Sequence, residues 1–270
     1  MCECQPFFRL LIVVILMIKE VEAQKVGQLK PLSKKSDWSV AHAHSHNDYQ
    51  QIHPFTSAYQ AQFGSMEADI LLYHDSLFVG HSEKDSQDHK LFSNLYLDSL
   101  LFYCRMNMGY VFRDKTRTLQ LLIDIKTAAE PTLEALIHEL SLYPDLLRSP
   151  SVIFVITGNR PPPEKWASYP DYILFDGNAG TDYSENELKK IAMLSGNFAS
   201  YASWKGTGIP DSTTIRRLTK ISSQAHDQGK RIRFWNAPDN AEGWLFLISI
   251  GADWINTDHI DELSLFLLNL

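Results

Sequence analysis

The sequence predicts an α/β protein, a closed (β/α)8 TIM barrel, and two observations carry that prediction. Short apolar runs alternate with segments of helical period along most of the chain, an order that implies parallel strands joined by helical crossovers. Eight such runs also fit the ~250 residues typical of one barrel. The strands are expected over 40–43, 65–72, 119–125, 152–156, 172–175, 198–201, 231–235 and 254–256. Helical patterns lie between several of them, over 132–140, 185–194, 213–228 and 241–250. The stretch 84–117 shows no clear strand, and Arg160-Pro161-Pro162-Pro163 reads as a loop. No repeat, low-complexity tract or domain boundary interrupts the pattern, so residues 38–270 are expected to form one barrel domain.

The first residues belong to a different class of sequence. Residues 7–18 are apolar apart from Arg9, and Val21-Glu22-Ala23 has the small residues that a signal peptidase accepts. The apolar stretch is short for a bilayer span. Residues 1–23 are therefore read as a signal peptide cleaved near Ala23, with the remainder secreted or periplasmic and not inserted in a membrane. Cys2 and Cys4 leave with that segment, so Cys104 has no internal disulfide partner and the fold must rest on its core. A formal net charge of −7, with no long basic run, argues against nucleic acid as the partner.

Barrel enzymes carry their chemistry at the C-terminal ends of the strands. His46, Glu67, Asp69 and Asp124 sit at or just beyond such ends, as do Asn236 and Asp258. Glu67 and Asp69 are two apart on one strand and so share a face. Two bare carboxylates there repel unless a cation lies between them. Asp124 closes the apolar run Leu119-Gln120-Leu121-Leu122-Ile123 and adds a third. An all-oxygen set suits Mg²⁺ or Ca²⁺ better than zinc. Lys126, two residues on, is a point charge suited to phosphate, and Trp235 and Trp204 follow strand-like segments where they would wall a pocket.

His42, His44 and His46 alternate along the first strand and admit a second reading. An H-x-H at that point also opens metal-dependent amidohydrolases. Those sites need further imidazoles or a lysine from the middle strands, and the runs at 172–175 and 198–201 end without histidine. Ser45 and Ser82 lie near histidines but in no Gly-x-Ser-x-Gly elbow.

Several segments together resemble the superfamily of glycerophosphodiester phosphodiesterases and phosphatidylinositol-specific phospholipases C, which are TIM barrels. Ser45-His46-Asn47-Asp48-Tyr49 is similar to the S-H-N-T-Y opening of the phospholipases, and Glu67-Ala68-Asp69 to their E-x-D metal pair. Val79-Gly80-His81 matches the place of the second catalytic histidine, and Asp124-Ile125-Lys126-Thr127 resembles the D-L-K-T segment of the sphingomyelinase D branch. Phe234-Trp235-Asn236 and the segment from Gly251 to Asp258 are similar to the W-T-V-N and G-x-D-x-I-x-T-D segments of the phosphodiesterases. The H-R-G opening of the phosphodiesterases is missing; the likeness is strongest to a little-characterised branch opening with H-S-H-N-D-Y.

The resemblance implies a metal-dependent phosphoric diester hydrolase acting on a small phosphodiester or phospholipid-derived substrate. It places His46 and His81 as general acid and base. One Mg²⁺ or Ca²⁺ falls to Glu67, Asp69, Asp124 and Asn47, and the substrate to Lys126, Trp235 and His44, with His44 competing with His46 for the first catalytic position. The rivals are a zinc amidohydrolase built on His42 and His44, and a non-catalytic barrel that binds phosphorylated or sugar ligands.

Overall fold

The computed structural model describes residues 38–85 and 90–270. The signal-peptide reading of residues 1–23 falls outside them. Nine strands form one sheet: β1 (Ala43–Ser45), β2 (Ser65–Tyr73), β3 (Ser76–Val79), β4 (Leu119–Ile125), β5 (Val152–Gly158), β6 (Ile173–Asn178), β7 (Ile191–Asn197), β8 (Arg231–Trp235) and β9 (Ile255–Thr257). Their order is β8-β7-β6-β5-β4-β2-β1-β9, with β3 hanging from β2. Every pairing is parallel except β2 with β3. The eight parallel strands curl into a nearly closed barrel, and a parallel bridge between Arg233 and Trp254 joins its two ends. The expected TIM-barrel class is the one observed.

Helices α1 (Thr56–Gln60), α2 (Asp98–Met106), α3 (Ala129–Ser141), α4 (Pro144–Leu147), α5 (Glu185–Lys190), α6 (Ser212–Asp227), α7 (Ala241–Ser249) and α8 (Ile260–Leu268) cover the outside. Strands wrapped this way are buried on both faces, which is why β2 and β4 read as near-continuous apolar runs. The faces still differ. On β4, Leu121, Ile123 and Ile125 belong to the large core under the helices, whereas Leu122 joins Val155, Met193 and Trp254 in a smaller cluster. That smaller cluster fills the lumen, and the polar residues of the same parity lie above it. Among the described residues, no helix is long and apolar enough to cross a membrane.

Three segments depart from the sequence expectation. Val40–His42 is a 3-10 turn capped by the Ser39 side chain, and the strand begins only at Ala43. The segment 185–194 is not one helix: α5 ends at Lys190, whose Nζ donates to the carbonyls of Tyr169 (3.2 Å) and Pro170 (2.8 Å), and β7 starts at Ile191 without a loop. Ile191-Ala192-Met193-Leu194 has no polar face, and a short run of that kind fits a buried strand as well as a helix. The strand expected over 198–201 is a 3-10 turn, Phe198–Ser200, capped by Asn197, which accepts from the Ala199 N–H at 3.0 Å.

The fourth difference matters most for the site. β2 runs past the barrel rim and folds back through His74 and Asp75, both at positive φ (46° and 60°), into β3. Two left-handed residues between antiparallel strands make the tight turn that matches strand twist. The hairpin register sets Val79 opposite Ile70, and the Gly80 N–H donates to the Asp69 carbonyl at 3.1 Å. His81 is thereby returned to the carboxylates of β2.

Candidate active site

One cavity of about 630 Å³ opens among the strand ends. His46, Asn47, Glu67, His81, Asp124, Lys126 and Trp235 line it, joined by Arg160, Asp176, Arg233 and Asp258 from the second half of the chain.

The acids are brought together by register. β2 and β4 pair with Asp69 beside Asp124, and Glu67 shares the lumenal face of β2 with Asp69. Oxygen atoms of Glu67, Asp69 and Asp124 all lie within 4.8 Å of one another. Asp69 Oδ2 accepts from the Tyr49 hydroxyl (2.9 Å) and lies 2.9 Å from His81 Nδ1 and 3.1 Å from Lys126 Nζ. Lys126 also donates to Asp124 Oδ2 at 2.8 Å. The other oxygens, Asp69 Oδ1 and Asp124 Oδ1, are buried with no hydrogen-bond partner. Burial pushes the Asp124 carboxyl up to about 6, helped by the negative charges of Asp69 and Glu67 and opposed by Lys126. Gly158 keeps this pocket open, since a Cβ there would fall 1.9 Å from Asp124 Oδ1. Buried carboxylate oxygens without donors, in a set of three acids, fit a hard divalent cation.

Glu67 is held from the opposite side of the lumen. Its Oε2 accepts from Arg233 Nη1 at 2.8 Å and lies 3.0 Å from His44 Nε2. Burial raises its carboxyl, but the His44 hydrogen bond and the Arg233 charge overcome this and hold it well below the usual carboxylate range. His44 is fully buried, with Nδ1 2.7 Å from Ser65 Oγ. Burial and then the Arg233 charge bring its imidazole down to about 4, so it is neutral at ordinary pH.

His46 stands at the mouth. Pairing of β1 with β9 sets Ser45 against Thr257, and the His46 N–H donates to the Thr257 carbonyl at 2.9 Å. Asp258 follows directly, with Oδ1 2.8 Å from His46 Nδ1. Burial lowers the His46 pKa, but the Asp258 hydrogen bond and the charges of Glu67 and Asp258 leave it above the ordinary imidazole value. The Asp258 N–H donates to Asp239 Oδ2 at 2.7 Å, which fixes the loop. Beneath His46, the buried Asp48 accepts from Ser45 Oγ (2.9 Å), the Phe55 N–H (2.6 Å) and the Tyr96 hydroxyl (3.0 Å).

His81 is more open, with 69 % of its side chain exposed. Asp85 Oδ2 accepts from the His81 and Ser82 N–H groups, both at 2.8 Å, and shapes the turn that carries it.

Comparison with known proteins agrees with this architecture. The family model of the AIM6-like phosphodiesterase domain matches residues 33–147. The chain is 26 % identical to altered inheritance of mitochondria protein 6 of Eremothecium gossypii, covering 84 % of this chain and 69 % of that protein. It is 23 % identical to the homolog of that protein in Arthroderma benhamiae, with 81 % of each covered. The crystal structure of a glycerophosphodiester phosphodiesterase from Parabacteroides distasonis shares the fold. Its TM-score is 0.54 at 14 % identity, over 86 % of this chain and 98 % of that one. The partial family-model match and the shared fold both point to a likeness to the PLC-like phosphodiesterase superfamily.

Of the residues expected from the superfamily likeness, the structure gathers His46, His81, Glu67, Asp124, Asn47, Lys126 and Trp235 around the cavity, with Asp69 bonded to both Lys126 and His81. Asn47 takes a left-handed conformation (φ 44°) beside His46. His44 is placed differently from that expectation: it does not line the cavity and is buried between Ser65, Glu67 and Arg233, whereas His46 faces the cavity. His42 lies in the turn before β1, its Nδ1 3.3 Å from the Ser39 carbonyl. Among the described residues, the group of metal-binding type contains no histidine, which speaks against the zinc reading.

Sequence reasoning missed Arg233, Asp176 and the bond between Asp258 and His46. A signal existed for the first. Arg233 lies two residues before Trp235 on one strand, so both had to share the lumenal face.

Proposed function

We propose that this protein is a metal-dependent phosphoric diester hydrolase, using His46 and His81 for proton transfer and Glu67, Asp69 and Asp124 to hold one Mg²⁺ or Ca²⁺. The observation that carries this reading is the pairing of two carboxylate-anchored imidazoles with three clustered acids at one cavity. Each histidine has its Nδ1 engaged by a carboxylate, Asp258 for His46 and Asp69 for His81. That leaves Nε2 as the atom of each ring able to exchange a proton with a substrate. One ring takes the proton of the attacking hydroxyl or water, and the other protonates the departing alkoxide. Lys126 and Trp235 bound the space where the phosphodiester would sit. When bound, the cation supplies positive charge to a nonbridging phosphate oxygen. Asn47, beside His46, is a candidate fourth ligand.

The substrate class proposed is a small or phospholipid-derived phosphodiester, met outside the cytosol after removal of residues 1–23. A panel of glycerophosphodiesters, phosphoinositides, lysophospholipids and bis-p-nitrophenyl phosphate, assayed with Mg²⁺, Ca²⁺ or EDTA, tests the activity. Turnover that ignores EDTA removes the cation from the reading. No turnover across the panel leaves the non-catalytic barrel.

A further inference from the structure

Each of the three acids already meets a fixed positive charge. Lys126 Nζ lies 2.8 Å from Asp124 Oδ2 and 3.1 Å from Asp69 Oδ2, and Arg233 Nη1 lies 2.8 Å from Glu67 Oε2. Arg233 is 4 % exposed and cannot swing away into solvent. Its Nε reaches Ser195 Oγ at 3.2 Å and its Nη1 reaches Asn256 Oδ1 at 3.3 Å, so the guanidinium is fixed on several sides. Three carboxylates thus face two resident cations, and a fourth, the buried Asp176, has its Oδ2 3.9 Å from Arg233 Nη2.

A divalent ion entering such a group finds the carboxylate charge partly offset already and must lie close to two held cations that repel it. A phosphodiester monoanion offsets that repulsion. Yet the unpartnered oxygens Asp69 Oδ1 and Asp124 Oδ1 still offer the ion a place.

We propose that Lys126 and Arg233 are built-in counter-cations that make the three carboxylates a weak divalent-cation site by themselves and a strong one only when a phosphate diester binds with the ion. The inference rests on the cation site proposed above. By linkage, the anion must then raise the affinity of the cation by the same factor as the cation raises that of the anion.

The test is calorimetric titration of the full chain with Ca²⁺ and with Mg²⁺, in the presence and absence of dimethyl phosphate. In the wild type, saturating dimethyl phosphate should tighten cation binding at least about tenfold, with the reciprocal gain for dimethyl phosphate. In Lys126→Met and Arg233→Met, cation binding without the anion should tighten at least about tenfold and the coupling should shrink. Circular dichroism checks folding; should Arg233→Met fail to fold, Lys126→Met, at a half-buried position, decides the question alone. Variants that bind the cation no more tightly than wild type overturn the proposal. So does a wild type that binds it equally well with and without the anion, although the cation site itself then stands. Absence of cation binding in all three proteins under both conditions removes the site and the proposal together.

Discussion

The two halves of the barrel divide the labour of the site unequally. From β1 to β4 the chain contributes the groups suited to chemistry: His46, Glu67, Asp69, His81, Asp124 and Lys126. From β5 to β9 it contributes groups that hold those in place, chiefly Arg233 on Glu67 and Asp258 on His46. The family model matches only the first half, residues 33–147. A reacting group must be of one kind at one place, whereas a holder need only supply a charge or hydrogen bond from some direction. The two kinds of residue therefore leave different marks in a sequence.

The largest expected effect lies in the first half. His46→Ala and His81→Ala should each lower kcat roughly 10²- to 10⁴-fold while thermal stability changes little. Full activity in either variant would break the division at its root.

Asp48→Ala separates support from chemistry within the same half. It strips three donors of their buried acceptor, so urea denaturation should show a loss of about 3 kcal/mol. A stability unchanged from wild type would mean that the loop holding His46 does not depend on Asp48.

Asp258→Asn addresses a holder. One charge-assisted hydrogen bond is worth about 1.5–3 kcal/mol, so kcat should fall roughly 10- to 100-fold. An NMR titration in EDTA should also find the His46 pKa lowered, because Asp258 is a main cause of its elevation. A loss as large as that of His46→Ala would place Asp258 among the reacting groups.

The smallest effect is a gain. Asp124 keeps its proton to about pH 6 in the folded protein but has an ordinary value of 3.8. The folded state therefore binds more protons between these values, and stability falls as pH rises through that window. Asp124→Asn should remove the loss and, at pH 7 in EDTA, stabilise the fold by on the order of 1 kcal/mol, while abolishing turnover. A destabilised Asp124→Asn protein would show that the Lys126 ion pair outweighs the burial cost.

How much of this was legible follows from the same contrast. Strands 65–72, 119–125 and 231–235 could be read from their apolar runs, and the acids at their ends stood out because a carboxylate closing such a run needs a reason. β7 could not be read, because Ile191 to Leu194 is apolar on every face and a helix leads straight into it. β3 was hidden because Ser76–Val79 is only four residues long and its turn, His74-Asp75, lacks glycine.

By itself the sequence determined the barrel class, the acids of β2 and β4, and the two histidines flanking them, since alternation and motif spacing are local properties of the chain. Only tertiary structure decided which imidazole faces the cavity. His44 and His46 are two residues apart; His44, inside β1, is buried against Glu67 and Arg233, whereas His46, just beyond the strand end, lines the cavity. Tertiary structure also brought Arg233 from β8 and Asp258 from beyond β9 to partners far away in the chain. Closure of the sheet sets such distances, and no local pattern encodes them.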